Sequence, residues 1–201
     1  MNQHHSTTVI RYTVVTAMLA AVSTVLQFLE FPVPFLIPSF VEMDFSDLPA
    51  LIASFSMGPV SGVLVCLIKN LLHALLATTT GGVGELANFL LSASFVLVAG
   101  LIYHLKKCRL AALLGSLCGA LFMALISIPV NFYLTYPIYY RFLPEETVLS
   151  LYQALIPSVK SILQCLVVFN APFNLLKGAV VTGIAFIIYK PLSPYIKGKG
   201  K

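Results

Sequence analysis

Charge is scarce in this chain: only 9% of its 201 residues are Asp, Glu, Lys or Arg, against 59% that are hydrophobic. With a mean hydropathy of +0.95, that balance excludes an ordinary water-soluble domain, which would leave most of its apolar surface exposed. Metal-ligand spacing is lacking too. Cys66, Cys108, Cys118 and Cys165 form no CxxC pair, and the four histidines are scattered over a polar tail, an apolar run and the edge of a basic loop. Neither a zinc site nor a disulfide framework follows. No GxxxxGK[ST] phosphate loop, HExxH or GxSxG occurs, and no paired aspartates lie within the apolar runs. ATP hydrolysis would have to come from a partner, and an intramembrane hydrolase has no recognisable machinery. The net charge of +5 is not gathered into a basic patch with interleaved aromatics, which argues against nucleic acid.

What the chain has in abundance is long apolar runs. A hydrocarbon core of about 30 Å takes about 20 helical residues. Residues 12–29 fit one crossing, whereas 48–77 are too many for one and are interrupted by Gly58-Pro59. Proline cannot continue the hydrogen-bond ladder and restricts the residue before it, so the helix is expected to break there. The expectation is one domain, 1–201, with six spans at about 12–29, 47–57, 59–77, 86–105, 110–130 and 173–189. Outer loops fall at 30–46, 78–85 and 131–172, the last a proline-punctuated, folded loop with short helices after Pro129 kinks or ends the fifth span. Only Arg11 precedes the first run and no small-residue cleavage pattern follows, so that run reads as retained.

Lysine and arginine collect on the cytoplasmic side of a membrane. Lys106, Lys107 and Arg109 mark the 4–5 loop, and Lys190, Lys197, Lys199 and Lys201 mark the C-terminus, so two crossings fit between them. Counting backward, six spans place the lysine-free 30–47 loop outside and both termini in the cytoplasm. All seven acids then lie at or near the outer side. This is the pattern of an all-α, multi-pass membrane protein.

Several polar residues stand out against that background. Lys69-Asn70 lies inside a span, where ionisable groups are costly and therefore functional candidates, with snorkelling or helix pairing as the alternative. Glu85 and Asn88 share a helix face at the top of the fourth span; Glu85 either caps that helix or pairs with Lys69 or Lys177. The segment FPVPFLIPSFVEMDFSDLPAL, with three acids including Asp44, reads as a structured lid or as an interfacial loop, and its Ser46 or Asp47 suits the cap of the second span. Asn131 follows Pro129 amid Phe132, Tyr133 and Tyr136. In FNAPFNLLK, residues 169–177, Asn174 and Lys177 project from one side of the sixth span. An amide offers an acceptor and two donors for the edge of a heterocycle, and an ammonium offers three donors for carbonyls or hydroxyls; interhelical bonding is their other use. Ala17 and Ala21, four apart, make a flat face on the first span for another span or another protein.

Over nearly its whole length, through MDFSDLPALIASFSMGPVSG, IKNLLH, GELANF and PFNLLKG, the chain resembles the riboflavin-specific S components of energy-coupling factor (ECF) vitamin transporters. The resemblance implies the ECF S-component fold, six helices with cytoplasmic termini, in a prokaryotic plasma membrane. It implies capture of riboflavin from outside, beneath a first loop that closes. It further implies docking through the Ala17/Ala21 face onto a transmembrane coupling subunit driven by two ATPase subunits. Asn131, Asn174 and Lys177 match its polar ligand contacts, with Glu85 and Asp44 as secondary ones. Riboflavin would be cargo and not a cofactor, and in a chain without tryptophan its ring would lie between Phe and Tyr side chains. A flavin, with a broad apolar face, a polar edge and a hydroxylated tail, suits such an inventory. One lysine without an arginine cluster suits the free vitamin better than its phosphate ester. An S component for another vitamin is the alternative, and an intramembrane hydrolase the distant one.

Overall fold

The computed structural model describes residues 2–78, 80–141 and 143–197, with side chains over 9–78, 80–141 and 143–188. Lys199 and Lys201, and the side chains of Lys190 and Lys197, on which the C-terminal charge argument rests, lie outside the described residues. Helix α1 (Asn2–Phe28) leads into a loop whose two-residue strands β1 (Phe31–Pro32) and β2 (Glu42–Met43) pair antiparallel, Phe31 opposite Met43 and Pro32 opposite Glu42. Helices α2 (Asp47–Met57), α3 (Pro59–Leu76), α4 (Val83–Lys106) and α5 (Arg109–Val130) follow. A π-helical turn, Asn131–Thr135, continues α5 into the short α6 (Tyr136–Tyr139). After α7 (Glu145–Gln153), α8 (Ile162–Cys165) passes through a second π-turn, Leu166–Asn170, into α9 (Ala171–Lys197).

Five helical stretches among the described residues are long and apolar enough to cross a membrane: Val9–Phe28, Pro59–Leu76, Val83–Lys106, Arg109–Tyr139 and Ile162–Ile188. Helix α2 is apolar but shorter. The expected outer loop 131–172 needs correction, because helix runs through Pro129 as far as Tyr139 and resumes at Ile162. Proline removes one ladder bond and crowds the preceding turn. The wider turn that follows directly, closed by the Tyr136 amide on the Asn131 carbonyl, lets the helix go on.

Gly58 explains the fold-back of α2 on α3. Its φ of 115° and ψ of 160° lie where only glycine sits without strain, and Pro59 then starts α3 with the φ a helix needs. The two helices close tightly: a Cβ on Gly62 would stand 2.7 Å from Ser54 Cβ and 2.9 Å from the Ala50 carbonyl. The deep end of α2 is marked by Phe55, whose ring lies 4.9 Å from that of Tyr103 near the end of α4. Its other end, at Asp47, stays well inside the bundle. Lys69, which binds Asp47, is 3.5 Å from the hydroxyl of Ser92, and Ser92 lies about 14 Å along α4 from Val83. The loop before α2 therefore dips into the bundle.

Two apolar clusters hold this arrangement. Leu51, Phe55, Val65, Phe95, Met123 and Val181 join α2, α3, α4, α5 and α9. Ile37 and Met43 of the first loop pack with Tyr136, Tyr152, Leu166 and Phe173, so the loop is bolted to the segment between α6 and α9.

Candidate ligand site

The acids of the first loop enter the bundle because two lysines meet them there. Lys69, on α3, is fully buried; its ammonium lies 2.6 Å from Asp47 Oδ1 and donates to the Ser46 hydroxyl. Lys177, on α9, lies 2.8 Å from Asp44 Oδ2 and 3.6 Å from Asp47 Oδ2. The Asp44 carboxylate also accepts from the Ser46 amide at 2.7 Å and from its hydroxyl. Burial alone would raise the Asp44 carboxyl, but Lys177 and then Lys69 hold it well below the usual carboxylate range. Two cations and two anions thus neutralise one another away from water, and they pin the loop to α3 and α9.

A second polar group gathers at the loop end of α3. His73 Nδ1 lies 3.0 Å from Glu85 Oε1, and its Nε2 lies 3.4 Å from Glu30. Glu85 Oε2 accepts from the hydroxyls of Thr78 and Thr80 at 3.1 Å each. Between this group and the lysine cluster runs a chain of amides. Gln27 Nε2 and Asn88 Nδ2 both donate to Asn70 Oδ1 at 3.1 Å, and Asn70 Nδ2 donates to the Cys66 carbonyl at 2.9 Å.

One cavity is lined by members of each of these groups. Asp44, Glu85, Asn131, Asn174 and Lys177, the five ligand-contact candidates from the sequence, line it together with Gln27, Glu30, Glu42, His73, Asn88 and Asn170, whereas Lys69 and Asn70 do not. Apolar and aromatic surface comes from Phe40, Leu91, Tyr136, Tyr139 and Phe173. Asn131 and Asn174 spend one amide hydrogen each on the carbonyl a turn earlier, Ser127 and Asn170, both at 2.8 Å. Their Oδ1 atoms accept no hydrogen bond among the described residues, so these side chains arrive oriented, with polar capacity for a ligand.

Three expectations change. Asp47 is not a helix cap, since Ser46 takes the N-cap position without a side-chain cap bond and the Asp47 carboxylate is drawn to Lys69. Glu85 pairs with neither lysine, both of which are occupied by aspartates, and binds His73 instead. His73, unremarkable in an apolar run, is a member of the site, as are Gln27, Glu30, Glu42 and Asn170. A signal existed for His73: it falls four residues after Lys69, on the same face of α3. No cluster of three metal-ligating side chains occurs among the described residues. Ala17 and Ala21 are exposed on α1, away from this cavity.

A bundle of membrane-length helices that keeps a polar cavity beneath a packed loop has the form of a membrane-embedded binding protein. Residues 11–189 match the family model of the ECF transporter substrate-specific component, and the chain belongs to that family. It is a multi-pass membrane component of a transporter and not an enzyme. It is 34% identical over 181 residues to the riboflavin transporter RibU of Staphylococcus aureus (strain TCH60), covering 90% of this chain and 89% of the relative. To the riboflavin transporter FmnP of Bacillus subtilis (strain 168) it is 31% identical, covering 92% and 93%. A solved structure of the S component of a bacterial ECF transporter superimposes with a TM-score of 0.73 at 31% identity, over 92% of this chain and 97% of that one.

Proposed function

We propose that this chain is a riboflavin-binding S component that captures the vitamin at the outer face and delivers it inward with an ATP-driven energy-coupling module. The observation that carries the reading is the convergence of Asn131, Asn174 and Lys177 on one cavity in a chain whose relatives are riboflavin transporters. Amide groups suit the edge of the isoalloxazine ring, Tyr136, Tyr139 and Phe173 offer apolar faces to it, and Glu85 and Asp44 frame the remaining polar wall. Lys177 has a double part: it lines the cavity and fastens Asp44 of the lid.

The same reading orders the whole chain. Helix α2 supplies the sixth crossing, with 30–46 as an outer loop packed onto the bundle, both termini are cytoplasmic, and the single domain spans 1–201. The exposed Ala17 and Ala21 give α1 a flat face for a transmembrane coupling subunit, which two ATPase subunits drive.

The test is the absorbance and fluorescence of the detergent-purified protein, then titration of the stripped form with riboflavin. Bound or tightly rebinding flavin is expected, weakened about tenfold or more by Asn174→Ala or Asn131→Ala, as the loss of one buried hydrogen-bonding group predicts. Lys177→Ala should weaken it further, because it also releases Asp44. No binding down to micromolar riboflavin would reject the assignment and leave other vitamins to be tried.

A further inference from the structure

The cavity is chemically lopsided. Gln27 is 2% exposed and lines it, and the direction of its amide is imposed by its neighbours. Asn70 must turn its nitrogen to the Cys66 carbonyl, so its oxygen faces Gln27 and Asn88, both of which must then present nitrogen. This leaves Gln27 Oε1 as a buried acceptor without a partner, an arrangement that costs free energy unless a ligand donor fills it. Beside it in the cavity wall stand Glu30 and Glu42, brought near one another by the pairing of β1 with β2. Both ring nitrogens of His73 face carboxylates, and Lys177 is held by aspartates, so neither of these cavity-lining bases is available to an incoming anion.

Resting on the riboflavin reading above, we propose that Gln27, Glu30 and Glu42 form an acceptor-rich, acidic wall that reads the hydroxyls of the ribityl chain and turns away its phosphate ester. The ribityl chain is the part of a flavin richest in donors, whereas the phosphate of riboflavin 5′-phosphate (FMN) brings negative charge. The groups facing Glu30 are Glu42, Asp44 and His73, with Glu85 on the far nitrogen of His73. Burial, then the charge of Glu42, push the Glu30 carboxyl up to about 7, with His73 pulling the other way. Glu30 therefore titrates around neutral pH, and a rise in pH takes the remaining proton from the wall and adds charge to it.

The experiment compares dissociation constants for riboflavin, FMN and lumiflavin, which has the ring without the ribityl chain. The settings are about pH 7 and about pH 8.5, both above the second phosphate pKa of about 6. The protein as it stands should prefer riboflavin to FMN, by a ratio that grows several-fold with pH. In Glu30→Gln/Glu42→Gln the ratio should fall about tenfold and lose its pH dependence. Gln27→Met should weaken riboflavin about tenfold and leave lumiflavin unchanged. An unchanged FMN ratio in the double variant would overturn the wall. So would equal losses of both flavins in a Gln27→Met protein whose melting temperature is retained; where that variant does not fold, the carboxylate pair decides alone. Failure of the parent protein to bind riboflavin would sink the riboflavin reading and the wall with it, whereas riboflavin binding with either contrary result sinks the wall alone.

Discussion

Lys69 is as buried as any leucine of the bundle, and its neighbours explain how. An ammonium taken out of water is costly, and Asp47, Ser46 and Ser92 replace its hydration shell. Removing Lys69 leaves Asp47 only the more distant Lys177, 3.6 Å away, and breaking a buried pair in this way costs up to about 3–5 kcal/mol. Lys69→Met should therefore lower the melting temperature in detergent steeply. Lys69→Met with Asp47→Asn should cost less than the two single changes added, because the charges leave together. For Asp44 the sign is that of a depressed carboxyl: its contribution is present above the ordinary carboxylate pKa of about 3.9 and is lost only as pH falls below it. The loop anchor should thus hold across neutral and mildly acid pH. Asn131, Asn174, Lys177 and Glu85 were legible as candidates because polar groups in apolar surroundings stand out in a sequence, whereas Asp44 entered as one only through the family resemblance. The partners of Asp47 and Gln27 were not, since each lies more than twenty residues away and spacing along one helix does not register such pairs.

At the level of elements, breaks and close approaches decide. Gly58-Pro59 could be read directly, because both residues carry their backbone preference in their covalent structure. Pro129 could not, since whether proline ends a helix or merely widens it depends on what packs beyond it. Here Tyr136 is buried against Tyr152 and Phe173, which favours continuing the helix. The glycines between helices are more exacting than composition shows. A Cβ at Gly119 of α5 would stand 2.5 Å from the Phe95 carbonyl of α4, and backbone cannot swing aside as a side chain can. Gly119→Ala is expected to destabilise by about 1–3 kcal/mol, the cost of overpacking a tight interface, read as a lower melting temperature. Gly183→Ala, where a Cβ meets nothing within 4 Å, is the matched control and should be neutral or slightly stabilising.

The whole molecule is turned inside out relative to a soluble bundle, and α5 shows it. Gly115, Ser116, Gly119, Ala120 and Ser127 face the interior, while Leu113, Leu117, Leu121 and Leu125 are exposed. Small residues inside let backbones approach, and leucines outside meet hydrocarbon at no cost. That pattern fixes which surface lipid covers and leaves open which end of the bundle faces the cytoplasm. The direction proposed here rests on Lys106, Lys107 and Arg109 between α4 and α5. Cys108 lies exposed in that connection and Cys118 is exposed farther along α5, while Cys66 and Cys165 are buried. In Cys118→Ala, a membrane-impermeant maleimide should leave Cys108 untouched in intact cells and label it once they are permeabilised. Glu146→Cys, on the exposed side of α7 one crossing away, should behave oppositely in a Cys108→Ser/Cys118→Ala background, where the serine can retain the Ala111 cap bond. Labelling of Cys108 from outside would invert the molecule, turn the cavity towards the cytoplasm, and make capture of an external vitamin impossible in this conformation.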